Sequence, residues 1–216
     1  MKNVLLFNFV NFLVINKGRI VNQNTDIVLE GFPRSANTYS YVMLNQSNFL
    51  LTIAHHFHYP INIIKGVRKN IPVIILIRRP EDAILSQMIR NPKVSFDEAF
   101  IWYKAFYTQA LIYKDSIVVA EFQNVIKNFN DIILKVNKKY DLSLDFFDDS
   151  KLNIDRCKQI VVQMDKNDNN KTVVDLSRVA LPNKEKSSKK EALKYHLNDF
   201  DKLEELNILY NKLIEK

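Results

Sequence analysis

Five consecutive aliphatic residues, Val73-Ile-Ile-Leu-Ile77, lie between Pro72 and the run Arg78-Arg79-Pro80, and they restrict the fold more than any other feature of the chain. With no polar residue in alternate positions, this segment has no face to offer to water. As a strand it must be covered on both sides, which is the situation of a central strand in a parallel sheet with helices above and below. Pro80 suits the first position of a following helix, where its missing N–H costs nothing, and Glu81 and Asp82 fall in the first turn, where the helix dipole favours acids.

The same strand-then-helix alternation extends in both directions. Asp26–Glu30 reads as a strand, Thr38–Asn48 as a helix and Phe49–Ala54 as a strand, and Pro60–Lys69 reads as a helix with Ile61, Ile64 and Val67 on one face. Beyond the central strand, Ser95–Tyr113 is a long aromatic-rich helix, Ile117–Ala120 a fourth strand and Val125–Lys138 another helix. This order predicts an α/β fold, a parallel sheet flanked by helices. The last third is mostly helical: Leu152–Met164, then a polar loop at Asp165–Asn170, a lysine-rich stretch at Pro182–Lys190, and an amphipathic helix at Phe200–Ile214 with Leu203, Leu206, Leu209 and Tyr210 in step. No internal repeat or composition break divides the chain, so residues 1–216 read as a single domain.

Residues 3–15 are apolar, but Asn3, Asn8 and Asn11 interrupt a run of about 13, shorter than the roughly 20 residues a spanning helix needs. They read as a buried first element, and the chain as soluble and cytoplasmic without stable membrane insertion. One cysteine, Cys157, excludes an intrachain disulfide and a zinc site of paired cysteines, and it favours a reducing compartment. Lys and Arg number 31 against 24 Asp and Glu, a net charge of +7 that points to anionic partners without choosing among them. The lysines are not interleaved with aromatics in a nucleic-acid-binding motif, so no nucleic acid is expected.

Position narrows the choice. Gly31-Phe-Pro-Arg-Ser-Ala-Asn-Thr38 follows a strand and opens a helix. Laid on the phosphate-loop pattern G-x-x-x-x-G-K-[ST], Gly31 and Thr38 fall in register, while Ala36 and Asn37 replace the Gly-Lys pair. Without the lysine that reaches the β- and γ-phosphates, ATP and GTP are poor candidates. What survives is a helix N-terminus able to hold one phosphate, with Arg34, Ser35 and Thr38 as side-chain donors. A strand–helix turn with an ordinary N-cap is the plain alternative. A second segment, Ile77-Arg-Arg-Pro-Glu-Asp-Ala-Ile-Leu-Ser86, puts Arg78 at the carboxyl end of the central strand, where open α/β sheets bind ligands. Ser86, eight residues on, can converge with Arg78 on the same anion; a local ion pair of Arg78 or Arg79 with Glu81 or Asp82 is the alternative.

These two segments together resemble the PAPS-dependent sulfotransferase family, whose fold is related to P-loop kinases and whose donor is 3′-phosphoadenosine 5′-phosphosulfate (PAPS). The family's 5′-phosphosulfate loop, P-K-[ST]-G-T-[ST]-[WF], is similar to Pro33-Arg34-Ser35-Ala36-Asn37-Thr38-Tyr39, and its 3′-phosphate motif falls on Arg78 and Ser86. The likeness covers roughly residues 26 to 140. It implies transfer of a sulfuryl group from PAPS to a hydroxyl or amine of a small-molecule or saccharide acceptor, with no metal because the donor is already activated. It implies a catalytic base at His55 or His56, in a cluster with His58 just after the second strand. Arg34 stands where the family has a lysine at the leaving oxygen, and can stabilise charge there but not readily give up a proton. Phe122, in Glu121-Phe-Gln-Asn124, takes the place of the family's adenine-packing Tyr, although core packing is the common fate of such a Phe. The family's glycine-bearing lid motif is absent as written, since no glycine follows Gly66; Lys184, Lys186, Lys189 and Lys190, with Arg178, are the residues able to replace it. An ATP-dependent small-molecule kinase and a non-catalytic nucleotide-binding protein of the same fold are the alternative readings.

Overall fold

A computed structural model describes residues 19–169, 184–197 and 199–215. Four strands, β1 (Ile27–Gly31), β2 (Ile53–His55), β3 (Val73–Ile77) and β4 (Val118–Glu121), form one sheet in the order β2-β1-β3-β4, with every neighbouring pair parallel. Nine helices are described: α1 (Asn37–Ser47), α2 (Ile61–Arg68), α3 (Pro80–Arg90), α4 (Phe96–Ile112), α5 (Phe122–Lys127), α6 (Phe129–Tyr140), α7 (Lys151–Asn169), α8 (Lys184–Leu193) and α9 (Phe200–Ile214). The α/β class, the parallel sheet with helices on both sides and the helical C-terminal third are as the sequence predicts.

Strand residues divide strictly by parity between two cores. Val28, Val73, Ile75 and Ile77 face a core closed by α3, α4 and α9, while Ile27, Leu29, Ile74, Leu76, Val118 and Ala120 face one closed by α1, α6 and α7. All five residues of β3 are buried, as a strand covered on both faces requires. Ser95 and Glu98 start α4 with a reciprocal capping box, each side chain accepting the other's backbone N–H. Pro80 opens α3 at its first turn with Glu81 and Asp82 beside it.

Several boundaries differ from the periodicity. The Phe49–Ala54 strand shrinks to β2, three residues long, because Phe49 and Leu50 stand 75% and 83% exposed in the turn before it. Val125–Lys138 is two helices, α5 and α6, separated at Asn128, whose extended backbone (ψ 84°) stops the first. Asp165–Asn169, read as the start of a loop, continues α7, and the lysine-rich stretch forms α8 from Lys184. The apolar segment 3–15 lies outside the described residues. Among the described residues no helix is long and apolar enough to cross a membrane.

The strand order fixes where the two motif segments meet. From β1 the chain steps to β2 on one side and then returns to β3 on the other, so the connections leaving β1 and β3 part in opposite directions. The crevice between their carboxyl ends is the topological switch point at which open α/β sheets bind ligands. Both motif segments begin there, one after β1 and one after β3.

Candidate functional site

The loop between β1 and α1 is tightly specified by buried side chains. Tyr107 of α4 carries its hydroxyl to three places at once: it accepts from Phe32 N (3.2 Å), donates to Leu76 O (2.8 Å) and meets Ser35 Oγ (3.3 Å). Asn37 Nδ2 donates back to Phe32 O (3.0 Å). Arg34 and Ala36 both adopt left-handed backbone, φ 71°, a conformation that costs a side-chain-bearing residue about 1–2 kcal/mol and persists only where the surroundings impose it. Ala36 is therefore a non-glycine residue in a backbone state that glycine would hold without strain.

Arg34 turns toward α3, and its Nε–H donates to Ser86 Oγ (3.1 Å). Arg78, leaving β3, donates from Nη1 to the Arg34 carbonyl (3.1 Å), pairs with Asp82 Oδ1 (3.8 Å) and lies over the Phe122 ring, 4.1 Å from its centre. Tyr103 of α4 holds this turn by donating to the Arg78 carbonyl (2.7 Å). Arg34, Arg78 and Ser86, separated by up to 52 residues in sequence, thus meet in one place. Burial, then the fields of Arg90 and Arg78, draw the Arg34 pKa down to about 10 against the opposing field of Asp165, which still leaves it protonated at neutral pH. The Arg78 Nε is buried without a hydrogen-bond partner among the described residues.

The histidines occupy the turn after β2. Glu30, next to last in β1 and fully buried, accepts the backbone N–H of Phe57 (2.9 Å) and of His58 (3.0 Å) and the side-chain amide of Asn62 (2.9 Å). This anchor holds His56 and His58 in left-handed backbone, φ 57° and 61°. His58 Nδ1 lies 2.8 Å from Gly31 O; a carbonyl only accepts, so Nδ1 carries the proton. His56 Nε2 lies 2.9 Å from Thr38 Oγ1, and its Nδ1 faces the Nδ1 of His55, a contact in which one nitrogen donates and the other accepts. His55 in turn stacks on Tyr41 of α1, ring centres 3.8 Å apart. The result is a continuous polar chain from the helix α1 N-terminus through His56 to His55.

Burial depresses all three histidines, His55 and His58 to about 4 and His56 well below its ordinary 6.5, so each is neutral near pH 7. Glu30 moves the other way, raised by burial to about 7 despite the hydrogen bonds it accepts. A depressed histidine refuses a proton that the unfolded chain accepts, so it loses stability as pH falls below 6.5; a raised carboxyl keeps a proton that the unfolded chain releases, so it gains stability as pH falls from 7 to 4.5. Three histidines oppose one glutamate. Stability in urea is therefore expected to fall from pH 6.5 to pH 4.5, each uncompensated proton contributing about 1.4 kcal/mol per pH unit, and Glu30→Gln is expected to steepen that fall. A rise in stability over this range would contradict these shifts.

The structure puts the remaining sequence candidates in mixed surroundings. Ser35, Asn37 and Pro33 are buried within the loop, Thr38 reaches the histidines, and Tyr39 is buried in the core beside α7. Phe122 lies beneath the Arg78 guanidinium and packs, partly buried, against the core. Of the basic segment, Lys190 binds Asp82, the residue that also pairs with Arg78, whereas Arg178 and the side chains of Lys184 and Lys186 lie outside the described residues. Sequence reading missed Tyr107, Glu30 and Arg90. Glu30 carried a signal, an acid at the end of an otherwise apolar strand; Tyr107 carried none, because one more aromatic in an aromatic helix is indistinguishable from core.

Compared with known proteins, the chain matches no family model and no curated protein. Among solved structures it is similar to a mouse sulfotransferase, SULT7A1, complexed with PAP, at 13% sequence identity and a TM-score of 0.49 over 90% of this chain and 92% of that one.

Proposed function

We propose that the chain is a sulfotransferase that moves a sulfuryl group from PAPS to a hydroxyl or amine acceptor. The observation that carries this reading is the meeting of Arg34, Arg78 and Ser86 at the switch point, with the histidine chain of Thr38, His56 and His55 entering the same loop. One cluster supplies cations and a hydroxyl for a phosphate at one end of a nucleotide. The other supplies a neutral base beside the loop that would hold the opposite end.

In this reading the His55–His56 pair accepts the acceptor's proton as its oxygen or nitrogen forms a bond to sulfur and the bond from sulfur to the 5′-phosphate oxygen breaks, giving 3′,5′-ADP. Arg78 and Ser86 bind the 3′-phosphate. The exposed N–H groups at the start of α1 hold the 5′-phosphate, and Arg34, permanently charged at neutral pH, offsets the charge that grows on the leaving group.

Thermal denaturation with ligands tests the reading. At 100 times its dissociation constant, 3′,5′-ADP is expected to stabilise by about 2.7 kcal/mol, or roughly 5–10 °C in a chain of this length, while ATP with Mg²⁺ leaves the midpoint unchanged. The reverse order would support the kinase reading that the missing Gly-Lys pair argues against. The Arg34–Ser86 bond favours one second reading, nucleotide binding without turnover, since it engages at the 3′ end the cation that transfer needs at the 5′ end. Stabilisation by 3′,5′-ADP with no acceptor-dependent release of 3′,5′-ADP from PAPS would identify that case.

A further inference from the structure

Arg78, Asp82, Ser86 and Arg90 recur at intervals of four residues, the last three on α3. Each such step advances about 6 Å and turns about 40°, so the helical members form one slowly winding row. Ser86 in this row accepts from Arg34, and Arg90 stands one turn further along. Arg90 belongs to none of the motifs that locate the site, yet its charge and that of Asp165 both act on Arg34.

The pairing of Arg90 is incomplete in a particular way. Its Nη2 lies 2.9 Å from Asp165 Oδ1, on α7, while its Nη1 is buried with no hydrogen-bond partner among the described residues. A guanidinium serving only as a staple gains most from a two-pronged grip on its carboxylate; here one prong is left over in the interior, where an unmade hydrogen bond is costly. Arg78 shows the same pattern at the other end of the row: paired with Asp82, it keeps a buried, unpartnered Nε. Arg34 binds the Ser86 hydroxyl, Arg78 holds the Arg34 carbonyl, and Arg90 is close enough for its charge to act on Arg34, with Asp82 paired to Arg78 and Asp165 to Arg90. Like charges gathered in a partly buried place repel, and an anion is what makes such a gathering favourable.

We infer that Arg90 is a third guanidinium of the anion site, and that the Asp165 carboxylate is its internal counter-anion, displaced when a phosphate-bearing ligand enters. This rests on the reading of Arg34, Arg78 and Ser86 as a phosphate site. A carboxylate and a phosphomonoester use the same N–H donors, so the two compete directly. The phosphate brings about two charges and three acceptor oxygens, enough to engage the donors that Asp165 leaves idle. Since α7 covers one face of the sheet and α3 the other, exchange of Asp165 for a ligand would also replace a tie between the two layers with one made through the ligand.

Isothermal titration at low salt of the whole chain with 3′,5′-ADP, and separately with inorganic pyrophosphate, tests this. Asp165→Asn is expected to tighten 3′,5′-ADP about 5- to 10-fold, Arg90→Gln to weaken it about 10-fold or more, and Asp165→Asn to have no effect once Arg90 is replaced. A purely structural ion pair gives a different result: both variants lower the melting temperature alike and Asp165→Asn leaves affinity unchanged or weaker, which would overturn the inference even where Arg90→Gln fails to fold. Tight binding of 3′,5′-ADP by the wild type with no gain in Asp165→Asn sinks this inference alone. Binding of pyrophosphate but not 3′,5′-ADP, tightened by Asp165→Asn, sinks the PAPS reading and leaves this one standing. Binding of neither sinks both.

Discussion

Replacing Arg78 with alanine is expected to weaken 3′,5′-ADP about 100-fold or more while changing 5′-AMP by less than about threefold, because truncating one partner of a desolvated, hydrogen-bonded charge pair costs about 2–5 kcal/mol. The two ligands differ only in the 3′-phosphate, so the ratio isolates the contact assigned to Arg78. Its guanidinium is already fixed, by the Arg34 carbonyl, by Asp82 and by the face of Phe122; little ordering entropy remains to be spent when the phosphate arrives. Arg78→Lys keeps the charge but loses the planar fork, and is expected to fall between wild type and alanine. Calorimetric titration measures all three. An equal loss for both nucleotides would mean that Arg78 supports the loop through Arg34 rather than binding the 3′-phosphate.

Gly31→Ala and Ala36→Gly are expected to change stability in opposite directions, and the first change is the larger. A Cβ on Gly31 would lie 2.4 Å from the Leu76 carbonyl, 3.0 Å from Leu76 Cβ and 3.1 Å from Asn37 Oδ1. The carbonyl is backbone and cannot swing away. It belongs to the residue registered against Gly31 across β1 and β3, and it accepts the Tyr107 hydroxyl. Relief requires the end of β1 to move from β3 and the tyrosine clamp to open, for a loss of about 3 kcal/mol, or roughly 6–12 °C in melting temperature. Ala36→Gly removes a left-handed alanine at the start of α1. The relieved strain exceeds the entropy that a glycine adds to the unfolded chain, for a gain of about 0.5–1 kcal/mol. Denaturation of both variants decides it: a Gly31→Ala midpoint within about 2 °C of wild type would remove the packing argument, and a destabilised Ala36→Gly would remove the strain argument.

These two small residues show how far the linear pattern reached. Gly31 was legible as the first position of a phosphate-loop pattern, but the reason for glycine there was not. It serves the approach of two strands rather than unusual backbone freedom, a contact made with a residue 45 positions away. Ala36 was legible as a departure from the loop pattern; that the backbone keeps the glycine conformation without the glycine follows only from the dihedral angle. Likewise the histidine cluster was visible as H-H-x-H, while its anchor, Glu30, acquires its role by lying buried beneath a turn that starts 25 residues later.

The sequence by itself determined the layers. A run of five aliphatic residues demanded cover on both faces, proline and acids marked the helix after it, and the alternation of periods set a parallel sheet between helices; all of these are local properties, set within a few residues by backbone geometry and the hydrophobic effect. Two segments resembling phosphate-binding motifs could also be recognised, each from its own strand–turn–helix context. Tertiary structure decided what those segments share. Only the order β2-β1-β3-β4 brings their loops to one crevice, joins Arg34 to Ser86 and Arg78, lets Tyr107 clamp the loop from a distant helix, and sets Arg90 and Asp165 beside the same cluster. Those relations depend on through-space distance between side chains far apart in the chain, and spacing along one segment carries no information about them.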